Sequence, residues 1–106
     1  MRCSALALAG AMALIAASAS AQTSLTIVQM GRAFHPSEIT IARGETLTFS
    51  NRDDFIHQIY IKSDSMTFDS NEQPPGQNVL LLFPAAGTFE VRCHIHPRMS
   101  LIVHAK

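Results

Sequence analysis

Residues Cys93 to Met99 read Cys-His-Ile-His-Pro-Arg-Met, so a thiol, two imidazoles and a thioether fall within one short stretch. These are the soft and borderline donors that suit copper. Cys93 and His96 stand three positions apart, and so do His96 and Met99, a spacing that lets one tight loop fold all three side chains about a single centre. The loop is too short to add another strong donor, which must come from a distant segment. His57, inside the run Phe-Ile-His-Gln-Ile-Tyr-Ile-Lys from Phe55 to Lys62, is the candidate. The expected ligands are therefore His57, Cys93 and His96, with Met99 as a weak fourth. One thiolate, two imidazoles and a long axial thioether form the donor set of copper sites that transfer single electrons. Taken singly, each residue has a plainer reading: a lone Cys is a buried hydrophobe, a lone Met fills a core, and a histidine on an apolar face is a satisfied core residue. It is their combination that points to metal.

Other chemistry is poorly served. Met is a poor zinc ligand. A nucleophilic pair of Cys93 with a histidine would leave the Met99 spacing without purpose. There is no Ser/His/Asp arrangement in a motif context and no glycine-rich phosphate loop, so the chain is expected not to be an enzyme. His94 follows Cys93 directly and on an extended backbone points to the opposite side, either exposed or supporting the ligands from behind. His35 and His104 have no ligand-like spacing and read as surface or edge histidines. Met30 and Met66 read as core or loop residues, and Asp53 and Asp54 as part of a solvated turn.

The elements that must position these donors are strands. Side chains alternate along a strand, and alternation recurs at Ser24–Met30, Glu38–Ile41 and Thr46–Ser50. Arg43-Gly44-Glu45 is a turn signal between the second and third of these runs. In Phe55–Lys62, alternation sends His57 the same way as Ile59 and Ile61, inward. Val79–Phe83 is continuously apolar and predicts a strand buried on both faces. Thr88–Cys93 and Ser100–Ala105 predict strands on either side of the ligand loop. Residues 62–78 form the longest irregular piece, predicted to hold a short helical turn or to be mobile. About seven short strands without a convincing helix predict an all-β, antiparallel β-sandwich.

The chain has 106 residues, 8 basic and 8 acidic side chains, and two cysteines. Met1-Arg2, the apolar run Leu6–Ala17 and Ala19-Ser20-Ala21 predict a secretory leader over 1–21, cut after Ala21. The domain is then 22–106, exported and not inserted in a membrane. Cys3 leaves with the leader, so Cys93 has no partner in the remaining chain, and its neighbours favour the role of ligand. Removing Arg2 leaves seven basic against eight acidic side chains. No basic stripe exists to suggest nucleic acid or an anionic membrane surface.

Beyond the ligand loop, Phe34-His35-Pro36 followed by Ile39 and Ile41, Gly44-Glu45-Thr46, Asn51-Arg52-Asp53 ahead of His57, and Gly87-Thr88-Phe89 resemble the cupredoxins, the plastocyanin- and amicyanin-like small blue copper proteins. The Cys-x2-His-Pro-x-Met loop is similar to that of the amicyanin group. The resemblance implies an eight-stranded Greek-key sandwich in a periplasmic or lumenal setting. It also implies one bound copper, Cu(I) or Cu(II), and one-electron transfer between larger redox proteins of cytochrome or dehydrogenase type. His96 would be the partly exposed route for the electron, ringed by apolar residues. Two departures stand out. Gln58 replaces the family's usual Asn, which ties the two ligand-bearing segments together and supports the cysteine. His94 replaces a Ser or Thr.

Three functions compete. A periplasmic, monomeric electron shuttle would cycle reversibly between two copper states. A periplasmic carrier or buffer would hold Cu(I) tightly and exchange it with partners, and Gln58 and His94 lend it weight. A binding module would use the same fold without metal.

Overall fold

The computed structural model describes Gly10 and residues 25–106; the expected leader, 1–21, lies outside the described residues apart from Gly10. The described chain forms nine strands: β1 (Leu25–Gln29), β2 (Phe34–His35), β3 (Glu38–Ile41), β4 (Thr46–Asn51), β5 (Ile59–Lys62), β6 (Thr67–Asp69), β7 (Asn78–Leu82), β8 (Gly87–Cys93) and β9 (Ser100–Ala105). They make two sheets, ordered β2-β1-β4-β7 and β3-β9-β8-β5-β6.

Alternation places one face of each sheet inward. The first sheet contributes Ile27, Leu47, Phe49 and Leu81 to the core, and the second Ile41, Ile59, Ile61, Phe89, Val91, Leu101 and Val103. Each large side chain buried in this way contributes roughly 1.5–3 kcal/mol. Phe83 and Phe89 pack with ring centroids 5.7 Å apart, and Phe34 meets Phe49 edge-on at 6.1 Å. His57, Ile59 and Ile61 share the inward face as their alternation requires, all at most 1% exposed.

The sandwich differs from the sequence expectation in three places. Most strand pairs are antiparallel, but β1 runs parallel to β4 and β3 parallel to β9. The chain leaves the first sheet after β2 to add β3 to the second, then returns as β4 beside β1. Residues 62–78 hold neither a helical turn nor unbroken loop. They contain the short edge strand β6, and Gln73 makes an isolated antiparallel bridge to His57. The apolar run at 79–83 is buried on one face only. It lies at a sheet edge, so Leu81 and Phe83 point inward while Leu80 and Leu82 remain 65% and 51% exposed.

Candidate metal centre

Four segments meet at one end of the sandwich: the β1–β2 turn, the chain from Asn51 to Gln58, Gln73, and the loop from β8 to β9. Cys93 is the last residue of β8 and faces the core, 1% exposed. Met99 immediately precedes β9 and is also 1% exposed, with its N–H donating to the His96 carbonyl at 3.0 Å. The loop therefore closes on itself, as the spacing predicts.

His57 is fixed from every side. Its backbone exchanges two hydrogen bonds with Gln73, N–H to carbonyl at 3.1 Å and carbonyl to N–H at 2.7 Å. Its Nε2 lies 2.8 Å from Asp53 Oδ2. A carboxylate can only accept, so the ring proton belongs on Nε2 and the lone pair on Nδ1. That Nδ1 stands 3.7 Å from Cys93 Sγ. His57 and Cys93, far apart in sequence, thus present a nitrogen and a sulfur donor to each other.

Asp53 corrects the expectation of a solvated turn. Its side chain is only 8% exposed. The Gly31 N–H donates to Oδ1 at 2.7 Å and the Arg32 N–H to Oδ2 at 3.3 Å. Burial raises the carboxyl's pKa, but bonds from Gly31, His57 and Arg32 outweigh it and hold the group below its ordinary range. Arg32 adopts a left-handed backbone, φ 56°, beside Gly31 at φ 65°. Across this tight turn both N–H groups reach the same carboxylate. Asn51 braces the same segment: its amide donates to the carbonyls of Phe55 at 2.9 Å and Gln73 at 3.0 Å, and its oxygen accepts from the Asp53 N–H at 2.9 Å.

His96 joins His57 through ring contact. The two centroids are 5.3 Å apart, and Phe55 packs edge-on against both, at 5.3 Å from His57 and 5.0 Å from His96. The Nε2 of His96 is buried without a hydrogen-bond partner. Burial comes first in lowering its pKa, with neighbouring His57 and Arg32 adding to it against the opposing pull of Asp53. A buried nitrogen without a partner is costly, and a metal ion is one way to satisfy it. Among the described residues, no three His, Cys, Asp or Glu side chains already stand close enough to enclose an ion. The structure brings His57 and Cys93 together and sets the His96 ring against that of His57, with buried Met99 tied to His96 through its backbone N–H. The soft donor set and the orphaned imidazole nitrogen fit copper.

The two departures from the family pattern resolve locally. The Gln58 N–H donates to Cys93 Sγ at 3.4 Å, and its carbonyl accepts from the His94 N–H at 2.9 Å. The backbone of residue 58 therefore ties the ligand segments together, while its side chain turns outward to Asp69 Oδ1 at 2.9 Å. His94 points away from Cys93, as alternation predicts. It stacks on Tyr60 with centroids 3.8 Å apart and an 8° tilt, and reaches Asp69 Oδ2 at 3.1 Å. His35 is exposed, and His104 faces Glu38 at 3.1 Å. Sequence reasoning missed Asp53, Phe55, Asn51 and Gln73 as supports. Only the four-residue step from Asp53 to His57 offered any signal.

The cupredoxin-like domain model matches residues 3–103. The chloroplastic plastocyanin of Physcomitrium patens is 32% identical over 102 residues, covering 79% of this chain and 61% of that protein. The methylamine utilization protein MauL of Methylophilus methylotrophus is 36% identical over 77 residues, covering 68% of this chain and 44% of its own length. The chain thus spans less than two thirds of either relative. Among solved structures, a methionine-to-alanine mutant of amicyanin in its Cu(I) form superposes with a TM-score of 0.73 at 20% identity, covering 78% of this chain and 82% of that one. A copper-containing nitrite reductase from Thermus scotoductus superposes with a TM-score of 0.72 at 23% identity, covering 78% of this chain but 22% of that one. The two superpositions agree on the fold, and the family match covers nearly all of the sandwich: the chain belongs to the cupredoxin-like family.

Proposed function

We propose that this chain is an exported electron carrier that holds one copper ion through His57, Cys93, His96 and Met99. The observation that carries the reading is the 3.7 Å approach of His57 Nδ1 to Cys93 Sγ, with the other ring nitrogen committed to Asp53. When bound, copper supplies a one-electron couple; the protein supplies a fixed frame. Asp53 sets the His57 tautomer, Gln73 clamps its backbone, and the Gln58 N–H donates to the cysteine sulfur. Phe55 packs over both histidine rings. A frame that scarcely moves between charge states keeps the reorganisation barrier low.

Residues 1–21 are read as the export leader, the compartment as the periplasm, and the partners as larger redox proteins meeting a monomer. The Cu(I)-carrier alternative drew its weight from His94 and Gln58. Both side chains turn to Asp69, away from the sulfur, which supports the shuttle over the carrier. The test is Cu(II) addition to the purified domain. An intense blue thiolate-to-copper band with a narrow hyperfine splitting, lost in Cys93→Ser, is expected. A pale Cu(II) spectrum with loss of the free thiol would overturn the reading.

A further inference from the structure

We infer that β7 is an open sheet edge that pairs antiparallel with β7 of a second copy of this chain, joining their first sheets into one continuous sheet. β7 is the last strand of the first sheet and pairs only with β4. One step beyond each end of the β4–β7 ladder, the Phe83 N–H donates to the Glu45 carbonyl at 3.0 Å and the Asn51 N–H to the Gln77 carbonyl at 3.1 Å. Bonded residues alternate along an antiparallel strand, so Val79 and Leu81 complete the set that faces β4. The N–H and C=O groups of Asn78, Leu80 and Leu82 are directed off the free edge.

Open edges recruit other strands, and proteins blunt them with short length, charge or proline. The other three edges of this sandwich are blunted. β2 has two residues and runs into Pro36, β6 has three and ends in Asp69, and β3 opens on exposed Glu38. β7 has five residues and no such device. No Asp, Glu, Lys, Arg or His occurs between Glu72 and Glu90, and Pro75 and Pro84 both lie outside the strand. The side chains that accompany the open backbone groups are apolar and exposed, Leu80 at 65% and Leu82 at 51%. The outward residues of β1 and β4 beside them, Thr26, Val28, Thr46, Thr48 and Ser50, are uncharged as well. Outward charge belongs to the second sheet, at Glu38, Lys62, Asp69, Glu90 and Arg92.

The occupant that fits is an extended, neutral, apolar strand, and β7 itself is one. A two-fold axis at Leu80 sets that residue opposite its own counterpart and Leu82 opposite Asn78 of the other copy, so every open N–H meets an open C=O. Residues directly opposite are side-chain neighbours, so the two Leu80 side chains touch, and no like charges are brought together. The relation is isologous, and the blunt β2 ends the joined sheet on both sides, so assembly stops at two copies. β7 runs from beside Asn51, at the metal end, to beside Glu45, at the other. The axis therefore points the two metal ends in opposite directions and covers neither. One strand pair falls well short of the roughly 1,200 Å² that a stable complex buries. The dimer is accordingly weak and forms on concentration, leaving the monomer as the form that meets partners in dilute solution. Nothing in this pairing depends on copper.

The test uses the chain as purified, without added metal, so its outcome is separate from that of the copper titration. Sedimentation equilibrium from roughly 0.05 to 2 mM should show the mass rising toward that of a dimer. Over the same range, amide exchange at Asn78, Leu80 and Leu82 should slow about twofold or more, while Val79 and Leu81, already bonded to β4, keep their rates. Leu80→Lys and Leu80→Glu should each stay monomeric, and an equal mixture of the two should associate at least as tightly as the parent, because residue 80 faces its own counterpart. A parent chain that remains monomeric at the top of the range would overturn the inference. So would association that slows exchange at 95–98 and leaves 78–82 unchanged. A mixture of the Lys and Glu variants that associates no better than either alone would overturn the two-fold pairing at Leu80.

Discussion

Asp53→Ala is the substitution that most directly probes how the centre is built. The carboxylate accepts one bond from a fully buried imidazole and two from N–H groups of exposed residues. The two loop N–H groups can turn to water at little cost. The His57 Nε2–H cannot, because the ring is 0% exposed, and stranding a buried donor costs about 1–3 kcal/mol. Relaxation of the left-handed Arg32 returns part of this, leaving a net loss of about 2 kcal/mol. In a domain of this size that lowers the melting temperature by roughly 8–16 °C. Freed of its acceptor, the ring no longer favours the proton on Nε2, so copper affinity should fall by about 10–100-fold, the usual cost of losing a group that orients a ligand histidine. Asp53→Asn keeps an acceptor oxygen and should lose less than half as much on both counts. The assays are urea unfolding, competitive copper titration, and nitrogen shifts of the His57 ring in the metal-free protein. If Asp53→Ala unfolds within about 0.5 kcal/mol of the parent and the His57 proton stays on Nε2, the packing of Phe55 and the Gln73 clamp suffice, and the orienting role of the carboxylate is refuted.

Other expectations concern the frame. Gln29 is 0% exposed with both amide atoms unpartnered, and nothing in the structure explains it; Gln29→Leu should stabilise by about 1 kcal/mol in urea unfolding, and a loss of similar size would reveal a partner for the amide. The Asp69 carboxyl is held below the ordinary carboxylate range, first by the Gln58 amide, then by the Asn71 N–H, with His94 adding to them against burial. Its folded value lies below its unfolded one, so its stabilisation is present above about pH 4 and is lost as pH falls through the folded value. Asp69→Asn should therefore flatten stability below pH 4 and lower it at neutral pH, as read from unfolding at a series of pH values. Leu80 is 65% exposed on an edge strand; Leu80→Lys should change stability by less than about 0.5 kcal/mol while lowering self-association on concentration, measured by light scattering.

What the sequence discloses follows from how far apart the interacting residues lie. Cys93, His96 and Met99 could be proposed together because they share one short loop, and the structure shows that loop turning back through the Met99 N–H to the His96 carbonyl. His57 was legible because strand alternation fixed its face alongside Ile59 and Ile61. Asp53 was misread: beside Asp54 it looks like ordinary turn chemistry, and its partners Gly31 and Arg32 reach it only after the β1–β2 turn folds over it. Gln73 was hidden in the same way, since its bridge to His57 depends on the path of the whole 62–78 segment. The apolar run at 79–83 has no period that separates an edge strand from a central one. The parallel pairings were equally invisible, because alternation reports which face a residue occupies and not which neighbour its strand acquires.

The burial of Cys93 has a use of its own. At 1% exposure, beneath the Gln58 N–H, its sulfur is out of reach of an alkylating reagent while the loop is closed. In the metal-free chain, modification must wait for that end of the sandwich to open. The rate at which the thiol is consumed under native conditions is then a stopwatch for those openings. It can be read without a label, a partner or any change to the sequence.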